Sequence, residues 1–498
     1  MNVNPITRLD YPDPDVIRVE DTYYMVSTTM HFMPGCEILQ SFDLVHWEHV
    51  TYVYETLDHT DAQQLKSGQN IYGQGMWAAS LRYHEGRFFI CFVANDTRKT
   101  YLYTSEKIDG PWKKQLIEGF YHDGSLLFDE DGRNYIVYGN DEIWITELNE
   151  DLTAPKKDGL HRLLVSDHKN PELGYEGSHI QKINGYYYIF LIHSLRDRWM
   201  RTEACFYSDS LEGEFTGGDV LCDDRGYCGQ GVAQGGIVDT PDGKWYAMLF
   251  QDSGAVGRIP ILLPVTWKDH FPFFGQNGHV PEEIEVHSTR PGYIYQPLVG
   301  SDDFCNGLLP RWQFNHDPDP RYYHLDALQG TYTITTREVC TELTQAVNTL
   351  TQRMSYPSCA AEVTVDASAL KEGDVAGLCA LQSCYAAVGI TKHHGKYEVL
   401  MLDKKEDGIL DMTEGTVVES HQMDFRLEAD FCNMKDEARC YYRVNKGDWL
   451  PIGTVHKLYF KLDHFTGCRF GLFCYAAEET GGSACFRDFK YYDVDEIS

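Results

Sequence analysis

The chain has no apolar run long enough to span a bilayer, and its first stretch, MNVNPITRLDYPDPD, holds no apolar core of signal-peptide length. Positive charge is scarce: 43 Lys and Arg stand against 75 Asp and Glu, a formal charge of −32. Such a field repels a phosphate backbone and an anionic membrane surface alike, which argues against nucleic-acid and membrane partners. The acids are dispersed rather than gathered in a tail, so most of them solvate the surface. Paired cysteine motifs are missing as well. The 15 cysteines are odd in number and scattered, with no Cys-x-x-Cys pair. That disfavours a disulfide framework or a structural zinc and points to a reduced compartment. The expectation is a soluble cytoplasmic protein. At 498 residues it exceeds what one core normally covers, so two domains are expected.

Helical periodicity is nearly absent from the first half, and what fills it is one pattern repeated five times. The copies read DPDVIRVEDTYYMVST from Asp13, WAASLRYHEGRFFICFVAND from Trp77, DGSLLFDEDGRNYIVYGND from Asp123, EGSHIQKINGYYYIFLIHS from Glu176 and QGGIVDTPDGKWYAMLFQD from Gln234. Each joins two strand-like runs through Glu20-Asp21, Glu85-Gly86, Asp131-Gly132, Asn184-Gly185 or Asp242-Gly243, and Asn-Gly and Asp-Gly between such runs are strong hairpin signals. Measured at Tyr23, Phe88, Tyr135, Tyr187 and Trp245, the hairpins recur every 47 to 65 residues, which leaves room for two further strands per unit. Four strands per unit and five units predict a five-bladed β-propeller.

In a propeller the first strand of each blade lines the axis, so its starting residues gather at one mouth. Those residues are Asp13, Trp77, Asp123, Glu176 and Gln234, and three of the five are acids. Any one Asp at a strand–turn junction is usually a local cap. Three converging carboxylates raise one another's pKa values and are costly unless they are used. A hard cation normally receives a dense carboxylate loop, which this chain lacks. Acid–base chemistry is the better fit, and glycoside hydrolysis needs one carboxyl as acid and another as base or nucleophile. Trp77 at the same mouth suits stacking on a sugar face.

At these residues the chain resembles glycoside hydrolase family 43, the β-xylosidases and α-L-arabinofuranosidases. NPITRLDYPDPDVIRVEDTYYMVST is similar to that family's opening motif, and HDGSLLFDEDG and YEGSHIQKINGYYY to its second and third catalytic motifs. MWAASLRYHEGRFF resembles its Trp-Ala-Pro segment, with Ala79 in place of proline. The resemblance implies an inverting mechanism in which Asp13 is the base that activates water and Glu176 the acid that protonates the leaving oxygen. Asp123 would orient Glu176 and oppose loss of its proton through its own negative charge. It selects Asp13 over Asp15 and leaves Asp10 and Asp15 as turn residues. Arg258, in GAVGRIPILLPVTW, resembles an arginine at the site floor; a plain ion pair is the competing reading. STTMHFMPG resembles a pocket-wall segment, with Met30, His31 and Phe32 where aromatic and acidic residues are usual, which makes His31 and Phe32 candidate substrate contacts beside Trp77. Gln234 stands where many members have a histidine facing the axial channel. Glutamine is a poorer metal ligand, so a channel calcium is not assumed.

Beyond a turn-rich connector ending TRPGYIYQPLVG, short alternating segments such as YTITT, AAEVTVDA, YEVLML and RFGLFCYA predict a two-sheet β-sandwich. With WQFNHDPD, QAVNTLTQR and GDVAGL, this half resembles the concanavalin-like jelly roll attached to many β-xylosidases of the family. The whole is therefore expected to be all-β: a propeller over 1–290, a linker over 291–301 and a sandwich over 302–498. The resemblance also implies that a sandwich loop helps close the pocket, for which GLFCYAAEETGGSACF is a candidate. It implies no cofactor for the chemistry, with a structural calcium near acids such as Asp302 or Asp488 left open. The expected activity is release of xylose from the non-reducing end of β-1,4-xylo-oligosaccharides. The alternatives are α-L-arabinofuranosidase action on arabinoxylo-oligosaccharides, alone or alongside, and, from other classes, a non-catalytic sugar-binding propeller or an interaction scaffold. Homo-oligomerisation is left open.

Overall fold

In the computed structural model, which describes residues 2–413 and 415–493, the first half folds as five blades of four antiparallel strands each. Blade one is Asp15–Val19, Thr22–Ser27, Gly35–Ser41 and Glu48–Tyr54. The inner strands of the other four are Met76–His84, Ser125–Phe128, Glu176–Ile183 and Val232–Asp239. Each inner strand packs on the next, and that of blade five packs on that of blade one, so the ring is closed. The second strands, such as YYYIFLIHS at Tyr186–Ser194, are apolar on both faces because each blade is covered on both sides. Five apolar clusters fill the five gaps between blades. A fully buried side chain there, such as Phe92, Tyr135 or Phe190, contributes about 1.5–3 kcal/mol. The N-terminus locks the ring: Asn2–Val3 pairs with Glu283–Ile284, and the Asn4 amide donates to Leu262 O at 2.8 Å and accepts from its N–H at 3.1 Å.

The hairpin turns fall at the Glu20, Glu85, Gly132, Asn184 and Gly243 positions, all with positive φ. A second run of positive φ values marks the inner strand starts: Asp13 at 53°, Asp123 at 48°, Gly177 at 65° and Gln234 at 61°. Blades two, four and five also shift register there. Left-handed backbone is costly for a non-glycine residue and persists only where the surroundings hold it. Here it brings these residues to the axial mouth.

The second half is a sandwich of two antiparallel sheets. One runs Tyr323–Asp326, Thr331–Thr335, Ser483–Asp493, Ser358–Asp366, Gln422–Asp430, Glu437–Arg443 and Leu450–Lys457. The other includes Lys396–Lys404, Ala386–His393, Val375–Leu381, Arg469–Tyr475, Leu350–Arg353 and Gln313–Asn315, and it ends on Phe32–Met33, a strand borrowed from blade one. The two halves thus share a sheet. Their joint also buries an ion pair, Arg353 Nη1 to Glu37 Oε2 at 2.8 Å. Burial alone would raise the Glu37 carboxyl, but Arg353 and His49 hold it down at about 2. All 15 cysteines are free, and among the described residues no helix is long and apolar enough to cross a membrane.

Candidate active site

One cavity of about 750 Å³ opens at the mouth where the inner strands begin. Asp13, Trp77, Asp123, Glu176 and Gln234 all line it, and Arg258 joins them. The three acids stand at matching places in their blades but in unlike surroundings. Asp13 is 6% exposed: Arg258 Nη1 donates to Oδ1 at 3.0 Å and Thr28 Oγ1 to Oδ2 at 2.7 Å. Asp123, also 6% exposed, accepts from Gly177 N–H at 3.0 Å. Burial, reinforced by the charges of Glu176 and Asp13, pushes its carboxyl up to about 6 against the pull of His122. Glu176 is more open, and Asn140 Nδ2 donates to its Oε2 at 2.7 Å. A charge pair bound on both oxygens, a carboxyl biased toward its proton and an acid open to the cavity form the division that acid–base chemistry requires.

His122 was not singled out by sequence reasoning. Its Nε2 lies 3.5 Å from Asp123 and 3.6 Å from Glu176. Burial would lower the imidazole, yet Asp123, Glu176 and Asp13 together push it up to about 9, so it is a cation at neutral pH. Its signal was its place beside Asp123 in YHDGS, which is weak by itself. His122, Asp123 and Glu176 also place one ligand atom each within 4.8 Å of one another, a donor set a cation could use. Asp302 and Asp488 do not join a comparable group among the described residues: Asp302 accepts from Phe304 N–H and from the Trp312 indole at 2.8 Å.

Beneath the site the axis is plugged. Asp15 Oδ2 pairs with Arg82 at 2.8 Å, Asp15 Oδ1 meets His179 at 3.1 Å, and Arg82 also reaches Leu126 O and Ser125 Oγ. Asp10 accepts from Arg258 N–H and from Gly467 N–H, tying blade five to the sandwich. These two acids are structural, as expected, but they are buried ties rather than solvated turn residues. Gln234 rests on Gly177, and its N–H donates to Glu203, a fully buried carboxyl that burial pushes well above the ordinary carboxylate range.

His31 and Phe32 are not brought to the cavity. Both are fully buried, Phe32 in the shared sheet and His31 among rings at the joint between the halves. The borrowed strand turns them toward the sandwich rather than the axis, which corrects their assignment as pocket wall. The closing loop also differs from the candidate stretch. GLFCY belongs to the strand Arg469–Tyr475, and the cavity is instead capped by Phe460, Leu462 and Phe465. The Phe465 ring lies 4.2 Å from the Arg258 guanidinium and 5.5 Å from Trp77. No local pattern marks Phe465, because its role depends on how two distant halves dock.

A closed five-bladed ring with three differentiated carboxylates in one pocket defines a glycoside-cleaving enzyme. The chain belongs to glycosyl hydrolases family 43, whose profile matches residues 3–272, while residues 301–492 match the β-xylosidase C-terminal concanavalin A-like domain. It is similar to a β-xylosidase of Formosa agariphila, 26% identical over 99% of this chain and 89% of that protein. A non-reducing end α-L-arabinofuranosidase of Bacteroides ovatus is 24% identical over 82% of this chain and 79% of its own length. Among solved structures, a bifunctional GH43-CE protein of Bacteroides eggerthii is 42% identical with a TM-score of 0.93. It covers all of this chain, which spans 64% of that protein's length.

Proposed function

We propose that the chain is an inverting, exo-acting β-xylosidase that releases xylose from the non-reducing end of short β-1,4-xylo-oligosaccharides. Asp13 takes a proton from water as the water oxygen attacks the anomeric carbon. Glu176 gives its proton to the departing glycosidic oxygen, and Asp123 orients Glu176. Trp77 and Arg258 line the sugar's side of the pocket. The observation that carries this reading is the unlike partnering of three carboxylates at equivalent blade positions, in a cavity that the sandwich caps on one side. A capped pocket favours a chain end over a chain interior.

The second reading, α-L-arabinofuranosidase action, alone or alongside, is favoured by relatives that carry both names, including a xylosidase/arabinosidase of Butyrivibrio fibrisolvens. The two pentosides differ in ring size, a six-membered ring against a five-membered one that carries an exocyclic hydroxymethyl group, a scale at which pockets discriminate modestly. Initial rates on 4-nitrophenyl β-xyloside, 4-nitrophenyl α-L-arabinofuranoside and xylobiose test it. The xylosidase reading expects xylobiose turnover and the β-xyloside to lead; a dominant arabinofuranoside rate with idle xylobiose reverses it. The catalytic unit is taken as 1–290, joined through 291–301 to the sandwich of 302–498. The chemistry needs no cofactor, and the reduced cysteines fit a cytoplasmic address with imported oligosaccharides as substrate.

A further inference from the structure

Immediately behind the Phe465 cap lies a cluster of buried titratable groups that the reaction does not use. His31 and Tyr72 come from the propeller, His316 and His464 from the sandwich, and each of the three imidazoles is at most 2% exposed. The His31 ring sits 4.7 Å from Tyr72, 4.8 Å from His316 and 5.0 Å from His464; Tyr72 is 4.5 Å from His316 and stacks on His464 at 5.1 Å. Of their six ring nitrogens, one has a hydrogen-bond partner: His316 Nε2 accepts from Ile71 N–H at 2.9 Å, a bond that a doubly protonated ring cannot keep. The other five make no geometrically formed hydrogen bond within the protein, although the Asn315 side chain stands close enough to His31 to favour its charged form.

The surroundings of the cluster favour uncharged rings. Arg469, stacked 3.5 Å over Phe32, is a buried cation whose charge bears on His31 and His464. Asn315 lies beside His31 but donates to the Tyr72 hydroxyl, which in turn donates to Thr344 O. Carboxylates stand one layer out and are engaged elsewhere: Asp317 with His59, Glu342 with Lys404, Asp463 with Ser383 and Glu406 with Lys461. Burial, with Arg469 nearby, holds His464 down at about 3, and burial with the neighbouring imidazoles keeps His31 and His316 well below the ordinary imidazole value.

The cluster is coupled to the pocket by a short piece of chain. Phe465 follows His464 directly, sits in left-handed backbone at φ 55°, and is tied by its N–H to Lys461 O at 2.7 Å. The preceding turn lies on Gly73, beside Tyr72, so closely that a Cβ there would meet Leu462 O at 2.5 Å. We propose that His464, with His31 and His316, is a positioning group for the reaction: the three rings are a joint that holds Phe465 against Arg258 and Trp77 only while they are uncharged. This rests on the reading that the sugar binds between Asp13 and Glu176. Opening the joint exposes imidazoles that take up protons below about pH 6.5. Between pH 6.5 and 5.0 the open fraction then grows about 16-fold if one ring is exposed and about 4,000-fold if all three are.

Hydrogen exchange of the 460–467 segment in the substrate-free wild-type protein, corrected for intrinsic rates, reads the joint without assuming any substrate. Acidifying from pH 7.5 to 5.0 is expected to raise its open fraction at least about tenfold, beyond any change in the strand Arg469–Tyr475. Unchanged relative protection overturns the proposal whatever the enzyme cleaves. In steady-state kinetics on xylobiose, KM is expected to climb several-fold toward pH 5 in the wild type. In His464→Phe, which leaves His31 and His316 to titrate, the climb is expected to shrink at least about twofold, with the pH dependence of kcat unmoved. A climb of full wild-type size in His464→Phe, or in His31→Phe should the first variant not fold, contradicts it.

Discussion

The axial mouth and the joint behind it are both dense in buried titratable groups, yet they are built on opposite terms. At the mouth each of the three converging acids has a partner of its own: Arg258 and Thr28 for Asp13, Gly177 for Asp123, Asn140 for Glu176. Charge is held there, and His122 is driven cationic by its neighbours. At the joint five ring nitrogens make no formed hydrogen bond, and burial beside Arg469 keeps the imidazoles themselves biased toward their uncharged form. Burial alone therefore does not decide what a titratable cluster does; the partners do. A charged, partnered cluster is suited to moving protons, and an uncharged, unpartnered one to registering them.

Removing the partnered acids should give the largest effects. Asp13→Asn is expected to lower kcat about 10³–10⁴-fold on xylobiose and on 4-nitrophenyl β-xyloside alike, because water activation is needed for both. Near-full activity would take the base away from Asp13. Glu176→Gln should cost about 10²–10⁴-fold on xylobiose but about tenfold or less on the aryl glycoside, whose leaving group needs little protonation. Equal losses would mean the acid is elsewhere. Phe465→Ala, at the boundary of the two regions, should raise KM about tenfold with little change in kcat.

His122→Asn tests the charge at the mouth. With its value raised from 6.5 to about 9, His122 lends stability that is fully present below 6.5 and lost as pH rises through about 9. The variant should therefore melt below the wild type at pH 6.5 and close to it at pH 10, and the wild-type alkaline limb of kcat/KM near 9 should disappear. Asp123→Asn has the opposite sign. A carboxyl raised to about 6 costs the native state more as pH climbs from about 4 to 6, so the variant's melting temperature relative to the wild type should rise from pH 4 to pH 7.5, less steeply than for a lone carboxyl because Asp123 is also the largest support of the His122 cation. A relative melting temperature that falls over this range would show that Asp123 is a structural tie like Asp15.

Much of the mouth was legible because repetition made it so. Asp13, Trp77, Asp123, Glu176 and Gln234 hold equivalent places in five copies of one hairpin, and a closed ring converts equivalence into proximity. His122 escaped because an imidazole beside an acid acquires its charge only from the two carboxylates that the fold adds. Phe465, His316 and His464 escaped because docking, not any local pattern, sets their neighbours. His31 and Phe32 were placed on the wrong face for the same reason: a two-residue strand joins a sheet that begins 280 residues later, at Gln313.

The central claim, that the unlike environments of Asp13 and Glu176 carry out a single displacement by water, is tested by following xylobiose hydrolysis by NMR from the first seconds. The account predicts that α-xylose accumulates first from the β-linkage and only later equilibrates. First appearance of β-xylose would mean a double displacement and would contradict it.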